Sequence, residues 1–156
     1  DATLQGAAPH CVMNLTGGSI GQGLPLATGA AIARPNARVL ALHGDGGAMY
    51  TLQALWTQVR EAARVVNIIL RNDRYAILDH EVKRHGLGPL AAKGAAMFEL
   101  RQPELDWVAL AAGMGMAART VATAEALAEQ LEWALAQPGP ALIEVRLAPP
   151  RAAVPR

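Results

Sequence analysis

Short aliphatic runs alternate with longer amphipathic stretches along this chain of 156 residues. Two of the runs, Val39–His43 and Val65–Leu70, are rich in β-branched residues, which is typical of strands buried on both faces of a parallel sheet. Between them, apolar residues recur at steps of three and four, which predicts a helix with one buried face. These residues are Met49, Leu52, Leu55, Trp56 and Val59. The order of strand, helix and strand predicts an α/β fold with a parallel sheet and helices on both faces.

The last third of the chain returns to the same alternation. Asp106 is a predicted N-cap of a helix that runs to Ala112 and ends at the glycines that follow, and Thr123 is a predicted N-cap of a second helix that ends before Pro138. The second helix is indicated by apolar residues at steps of four, seven and eight, namely Leu127, Leu131, Ala134 and Leu135. A short strand is predicted over Met116–Val121 and a last buried strand over Ala141–Val145.

Polar side chains follow the first two predicted strands. Asp45 lies in the turn Gly44-Asp45-Gly46, and Asn72 lies 27 positions further on. Because ligands bind at the carboxyl ends of the strands in open α/β sheets, we expect the two side-chain oxygens to share one hard cation. The glycines of the first turn let backbone N–H groups approach an anion at the start of the next helix. The sequence therefore predicts a split metal-diphosphate site.

The pattern resembles the diphosphate-binding motif of thiamine-diphosphate-dependent enzymes, in which Gly-Asp-Gly and Asn are separated by a spacer of this length and a third ligand follows two residues later. The resemblance is to the branch of acetolactate synthases and 2-oxo-acid decarboxylases. It covers nearly the whole chain, since Leu15–Pro25 is similar to the cofactor-cradling turn of that branch and Pro103–Trp107 to a later helix start. The implied architecture is the diphosphate-binding domain of the thiamine-diphosphate-binding fold.

The resemblance also implies a set of ligands for thiamine diphosphate and Mg²⁺. Asp45 and Asn72 would give side-chain oxygens to the metal and Arg74 a backbone carbonyl, a set of oxygen ligands that suits Mg²⁺. The turn from Gly44 onwards would bind the diphosphate, with main-chain donors from Gly46, Gly47 and Ala48. An amide at position 72 would ligate the metal without adding a second negative charge beside the diphosphate.

Two further segments are implied to contact the cofactor or the substrate. In relatives, the positions of Gly18 and Ile20 meet the aminopyrimidine through the backbone, and the isoleucine side chain lies between the two rings and bends the cofactor. Ser19 lies between them in the same turn. The wall of the substrate pocket would begin at Tyr75 and continue through Ala76 and Ile77.

Five positions differ from what many relatives carry. Arg71 replaces the first of two successive asparagines, and Arg74 replaces a glycine. The Arg74 side chain would add a cation beside the metal or point to solvent or substrate. Gly47 replaces a serine found in several relatives, which leaves that contact to the backbone, and Ala76-Ile77 replaces Gly-Met, so the pocket wall is expected to differ in shape.

The resemblance also indicates what lies outside these residues. The activating glutamate of the family is on a pyrimidine-binding domain, usually of a neighbouring subunit, so no catalytic residue is expected on this chain and a homodimer or homotetramer is expected. We expect residues 1–148 to form the diphosphate-binding domain and residues 149–156 a tail, with the pyrimidine-binding and middle domains absent. The chain begins at Asp1 rather than Met, and we expect a fragment of a longer protein that has no turnover alone.

The expected function is that of a half-site in a 2-oxo-acid decarboxylating carboligase similar to acetolactate synthase, with FAD possible in the complete protein. Two alternatives stay open. The first is a simple 2-oxo-acid decarboxylase of the benzoylformate or oxalyl-CoA type. The second is a noncatalytic phosphate- or nucleotide-binding module, which would need neither Ile20 nor a second metal ligand.

Composition excludes several other classes. The net charge is +1 and no basic stretch is interleaved with aromatic residues, so no nucleic-acid partner is expected. The lone Cys11 excludes an internal disulfide. The longest mostly apolar stretch, residues 107–118, is shorter than the roughly 20 residues that span a bilayer, so no membrane span is expected. These features favour a cytoplasmic protein.

One segment and one histidine near the predicted site each allow an interpretation without a functional role. Residues 79–101 mix charged and small residues without a clear period, which indicates either a loop or mobile helix that closes over the site or a solvated excursion without a catalytic role. His43 directly precedes the glycine-rich turn, where we expect a packed, hydrogen-bonded histidine rather than a contact to phosphate.

Overall fold

The computed structural model describes residues 6–148, so the predicted tail over residues 149–156 lies outside the described part. Four strands form one sheet in the order β1-β2-β4-β3, and all of its pairings are parallel. The strands are β1 Val39–Gly44, β2 Val65–Arg71, β3 Ala117–Val121 and β4 Ala141–Arg146. The predicted strands and the α/β fold class are therefore confirmed.

Seven α-helices and one 3₁₀ turn surround the sheet in the described chain, and none of the helices is long and apolar enough to cross a bilayer. The 3₁₀ turn spans Thr16–Gly18, and the helices are α1 Gly23–Ala33, α2 Asp45–Met49, α3 Ala54–Arg60, α4 Ala76–Arg84, α5 Ala92–Ala96, α6 Trp107–Gly113 and α7 Ala124–Ala136. Both predicted N-caps are confirmed. The Asp106 carboxylate accepts from the Ala109 N–H at 2.8 Å, and the Thr123 hydroxyl accepts from the Ala126 N–H at 3.2 Å.

The two faces of β2 pack against different helices, because side chains alternate along a strand. Val66 and Ile68 belong to a cluster with Ala134 of α7. Ile69 packs on the opposite face with Leu55 of α3 and Trp107 of α6. Val65 joins the alanines of α1 on that second face. Helices thus cover both faces of the sheet, as the unbroken apolar runs predict.

A buried polar network ties two of these helices to the sheet. The Asn67 Nδ2 donates to Gln58 Oε1 at 2.7 Å, and Gln58 Nε2 donates to Thr28 Oγ1 at 3.2 Å. Gln58 and Asn67 have no exposed surface. Because each of these polar groups has a partner, burial is tolerated, and α1, α3 and β2 are held in one relative placement.

The predicted helix across residues 49–59 is wrong in two respects. It is divided into α2 and α3 by a turn, in which the Thr51 hydroxyl donates to the Gly21 carbonyl at 2.6 Å. Trp56 is 51% exposed rather than buried, and the Arg60 guanidinium lies 5.0 Å from its ring centroid. The helix α1 was not predicted, because its glycines and Pro25 are poor helix formers, although proline is tolerated in a first helical turn.

Candidate functional site

The predicted metal ligand Asp45 lies at the junction of β1 and α2. Its side chain is 1% exposed. Its Oδ1 accepts from the Gly46 N–H at 3.0 Å, and its Oδ2 accepts from the Asp73 N–H at 2.7 Å. The carboxylate therefore joins the turn after β1 to the turn after β2, as expected for two neighbouring strand ends of a parallel sheet.

The environment of this carboxylate suits a bound cation. Burial raises the pKa of Asp45, although hydrogen bonds from the backbone of Asp73, Gly46 and Asn72 act in the opposite direction. A carboxylate that is removed from water and receives only neutral donors is stabilised by a nearby positive charge. Each of its oxygens also has a second lone pair beyond the N–H that it accepts. The donor set fits a dication.

Asn72 and Asp73 form a tight turn beside Asp45. Asn72 Oδ1 accepts from the Arg74 N–H at 3.1 Å, which is an Asx turn. Asp73 has φ of 57°, in the left-handed region that aspartate enters more readily than most residues. Its carbonyl accepts from the Leu100 N–H at 2.8 Å. The structure thus brings the side chain of Asp45 and the segment that carries Asn72 together.

The Arg74 side chain is held by two carboxylates of the chain. Its guanidinium forms ion pairs with Asp79 of α4 and with Glu99 at 3.4 Å. Hydrogen bonding to Asp79 raises the pKa of Arg74, and the same bond lowers the pKa of Asp79. The extra cation beside the predicted metal site is therefore neutralised by the chain itself.

The glycine-rich turn is shaped by Tyr75. A Cβ on Gly46 would lie 2.7 Å from Cδ1 and Cε1 of the Tyr75 ring, so this position admits no side chain without a shift. The Gly46 N–H is already engaged by Asp45, whereas Gly47 and Ala48 lie in the first turn of α2, where N–H groups lack intrahelical acceptors. Of the predicted main-chain donors to the diphosphate, the latter two are thus the better placed.

The segment predicted to hold the pyrimidine lies against this turn. A Cβ on Gly47 would be 3.9 Å from Ile20 Cγ2, so the two residues are neighbours. The Ile20 side chain is 53% exposed, as expected for an apolar side chain that contacts a ligand. Gly18 has φ of 70°, and Ser19 follows the 3₁₀ turn and accepts through its carbonyl from the Gln22 N–H at 3.3 Å.

The predicted pocket wall begins at the end of the same turn. The Tyr75 N–H donates to the Phe98 carbonyl at 2.8 Å, and its ring meets Tyr50 edge to face at 6.5 Å. Ala76 starts α4, and Ile77 is 55% exposed. Residues 79–101 contain the rest of α4 and the whole of α5, so the helical alternative agrees with the structure where these helices lie and the loop alternative is wrong there. Closure over the site stays a prediction.

His43 is packed as predicted, but the predicted hydrogen bond is wrong at one ring nitrogen. A Cβ on Gly23 would lie 2.4 Å from Cε1 and Nδ1 of the ring, which shows how closely α1 covers it. Nε2 is buried without a hydrogen-bond partner in the described chain. Burial lowers the pKa of His43 to about 4, so the ring is neutral at pH 7.

One arginine beside the site has a role that sequence reasoning missed. Arg71, at the end of β2, is 5% exposed and donates to three carboxylates. Its Nε bonds Asp73 at 2.5 Å, and its two terminal nitrogens bond Glu144 at 2.8 Å and Glu104 at 2.5 Å. Glu104 and Glu144 lie far from Arg71 in sequence, and no motif links them to it. The one feature of the sequence that could have indicated this role is an arginine at the end of an aliphatic strand.

Comparison with known proteins identifies the family. Residues 3–145 match the family model described as "Thiamine pyrophosphate enzyme, C-terminal TPP binding domain". The chain belongs to this family. Thiamine pyrophosphate (TPP) is another name for thiamine diphosphate, so the predicted resemblance is confirmed.

Individual relatives agree with this assignment. The chain is 45% identical over 141 residues to the "Putative acetolactate synthase large subunit IlvX" of Mycobacterium tuberculosis, covering 90% of this chain and 27% of the relative. It is 40% identical over 128 residues to benzoylformate decarboxylase of Pseudomonas aeruginosa, covering 82% of this chain and 23% of the relative. The structure of the thiamine diphosphate-dependent 4-hydroxybenzoylformate decarboxylase of Rhodococcus jostii RHA1 superimposes with a TM-score of 0.75 at 38% identity, covering 85% of this chain and 24% of that one. The chain thus spans about a quarter of the length of these relatives.

Proposed function

We propose that this TPP-binding domain binds thiamine diphosphate together with Mg²⁺ and forms the C-terminal half-site of a 2-oxo-acid decarboxylating carboligase similar to acetolactate synthase. The observation that carries the proposal is the buried Asp45 carboxylate, which lies beside the Asn72 turn at the carboxyl ends of two parallel strands. The identity of 45% to the Mycobacterium tuberculosis relative supports the synthase-like class.

The metal would be held by oxygen atoms from the two strand ends. Asp45 and Asn72 would contribute side-chain oxygens and Arg74 its backbone carbonyl, and the single carboxylate would offset part of the charge of the dication. Gly47 and Ala48 would donate their N–H groups to the diphosphate, and Gly44 and Gly46 would keep the backbone of the turn free of side chains.

The organic part of the cofactor would lie against the Gly18–Ile20 segment, with the exposed Ile20 side chain between its two rings. When bound, thiamine diphosphate supplies a nucleophilic carbon that adds to the carbonyl of a 2-oxo acid. Tyr75, Ala76 and Ile77 would line the substrate side of this space and help exclude water.

Activity would depend on parts beyond this domain. A glutamate on a pyrimidine-binding domain, of the same or a neighbouring subunit, would activate the cofactor, so we propose a homodimeric or homotetrameric transferase or lyase. FAD would be a further ligand of the complete assembly if the acetolactate synthase likeness extends to it. A cytoplasmic location is part of the same proposal.

A second candidate function is decarboxylation of an aromatic 2-oxo acid without ligation. The identity of 40% to benzoylformate decarboxylase favours it. Product analysis separates the two, using the polypeptide that carries the pyrimidine-binding domain. Pyruvate converted to acetolactate would support the synthase, and benzoylformate converted only to benzaldehyde would support the decarboxylase.

The binding proposal is tested by calorimetry. Thiamine diphosphate is titrated into the protein with and without Mg²⁺, with NAD and ADP as control ligands. Asp45→Ala should abolish the Mg²⁺-dependent heat, whereas Glu99→Ala, which removes a 47% exposed carboxylate that forms an ion pair with the Arg74 side chain, should retain most of it. Equal heat from Asp45→Ala, or preference for NAD or ADP, would refute the proposal and favour a noncatalytic nucleotide-binding module.

A further inference from the structure

The Arg71 ion-pair network is anchored in the sheet. Glu144 on β4 is 1% exposed, and its Oε1 accepts from Arg71 at 2.8 Å. Its Oε2 accepts from the Thr120 hydroxyl on β3 at 2.5 Å and lies 3.5 Å from Arg146 Nε. The guanidinium at the end of β2 is therefore fixed directly to the adjacent strand β4 and, through Glu144, to β3 beyond it, which gives it little freedom to move.

From this anchor, Arg71 reaches the turn that carries the proposed metal ligands. Its Nε bonds the Asp73 carboxylate at 2.5 Å, and that carboxylate is 25% exposed. The backbone of the same residue donates to Asp45 and accepts from Leu100, at 2.7 and 2.8 Å. Asp73 is thus held on three sides, while its left-handed φ would be unfavourable without such support.

We propose that Arg71 and Asp73 are positioning residues, whose salt bridge holds Asn72 and Arg74 in the metal-binding arrangement before the cation arrives. This inference rests on the proposed binding of Mg²⁺ and adds residues that do not touch the metal. Outer partners of this kind orient the ligands, and their loss typically lowers metal affinity about 10- to 100-fold.

The chain offers a matched pair of variants. Asp73→Asn removes the ion pair with Arg71 but keeps the size of the side chain and its tolerance of a left-handed backbone. Glu104→Gln removes another partner of the same guanidinium at the same distance of 2.5 Å, but its side chain lies outside the ligand turn. Replacing Arg71 itself would also remove the direct partner of the buried Glu144 Oε1, so it is unsuitable as the test.

The first measurement needs no cofactor. Amide hydrogen exchange is followed by NMR in the full chain, at a temperature where urea unfolding shows all variants folded. Asp73→Asn should speed exchange at residues 73 and 74 at least about 10-fold relative to the unchanged protein, whereas Glu104→Gln should leave both within about twofold. Equal protection in the two variants would overturn the inference.

The second measurement reads the metal. Mn²⁺ replaces Mg²⁺, and its binding in the presence of thiamine diphosphate is followed by electron paramagnetic resonance. Asp73→Asn should raise the Mn²⁺ dissociation constant about 10-fold or more, with Glu104→Gln near the unchanged value. Unaltered affinity in Asp73→Asn, with Asp45→Ala abolishing binding, would overturn the inference alone. Binding that survives Asp45→Ala would instead overturn the proposed function.

Discussion

Replacing Gly46 with alanine tests how closely the glycine-rich turn is fitted to Tyr75. The new Cβ would lie 2.7 Å from two carbons of the Tyr75 ring and 3.5 Å from Leu100 Cδ1. Carbon atoms attract one another best at about 3.5–4.0 Å, so the ring would have to move by roughly 1 Å. Overpacking of this kind typically costs about 1–3 kcal/mol.

Gly47→Ala is the matched control, because both glycines lie in α2. Its Cβ would meet only Ile20 Cγ2, at 3.9 Å, which is ordinary contact. Alanine in place of glycine within a helix gains about 0.5–1 kcal/mol, and this gain is common to both variants. The difference between their free energies of unfolding therefore isolates the overpacking term and should be about 1–3 kcal/mol, with Gly46→Ala the less stable.

The assay is urea unfolding, followed by tryptophan fluorescence, to which the buried Trp107 contributes, and by circular dichroism. When Tyr75 is also replaced by alanine, the clashing ring is gone, so Gly46→Ala should then raise the free energy of unfolding relative to Tyr75→Ala alone. A double-mutant cycle measures this coupling. If the two glycine variants have the same stability, or if the coupling is zero, the tight contact between Gly46 and Tyr75 is refuted.

Three further predictions concern buried polar groups. Burial lowers the pKa of His43 to about 4, whereas a histidine in the unfolded chain titrates near 6.5. The free energy of unfolding should therefore be highest above pH 6.5 and fall by at most about 3 kcal/mol between pH 6.5 and 4. Urea unfolding measures this dependence, and His43→Gln should make it flatter. Gln58→Met should cost about 1–3 kcal/mol, because Asn67 loses a buried partner, and a change below about 0.5 kcal/mol in urea would contradict it. Arg71→Met should cost about 3–5 kcal/mol and Arg60→Met, at an exposed pair, under about 1 kcal/mol; equal thermal shifts would refute this contrast.

The elements that follow from local chemistry were predictable. The strands β1, β2 and β4 are short aliphatic runs, and the caps of α6 and α7 depend on a polar side chain three residues before the N–H that it accepts. The division between α2 and α3 was not predictable, because it depends on the contact of Thr51 with Gly21, 30 positions earlier. A periodic pattern cannot distinguish one helix from two that share a buried face.

The candidate site divides in the same way. The approach of Asp45 to the segment that carries Asn72 follows from the rule that parallel strands end at one edge, so the strand pattern with a polar residue at each strand end was sufficient. The packing of His43 beneath Gly23 and the pairing of Arg71 with Glu144 depend on which residues the folded sheet places opposite each other. Neither pairing has a motif, and 73 positions separate the second pair.

The two arginines that depart from the family pattern, Arg71 and Arg74, are both neutralised by carboxylates of the chain. A free guanidinium beside a dication site would repel the metal, but Arg71 and Arg74 are both paired. Their partners are five carboxylates: Asp73, Asp79, Glu99, Glu104 and Glu144. Five carboxylates thus pair with these two arginines, and Asp45 lies next to Asp73. Against these six carboxylates stand Arg71, Arg74, Arg101, Arg146 and Lys83, so the charge of the named groups is negative. A negative field attracts a divalent cation. Arginine at positions 71 and 74 is therefore compatible with metal binding, because carboxylates of the chain offset both positive charges.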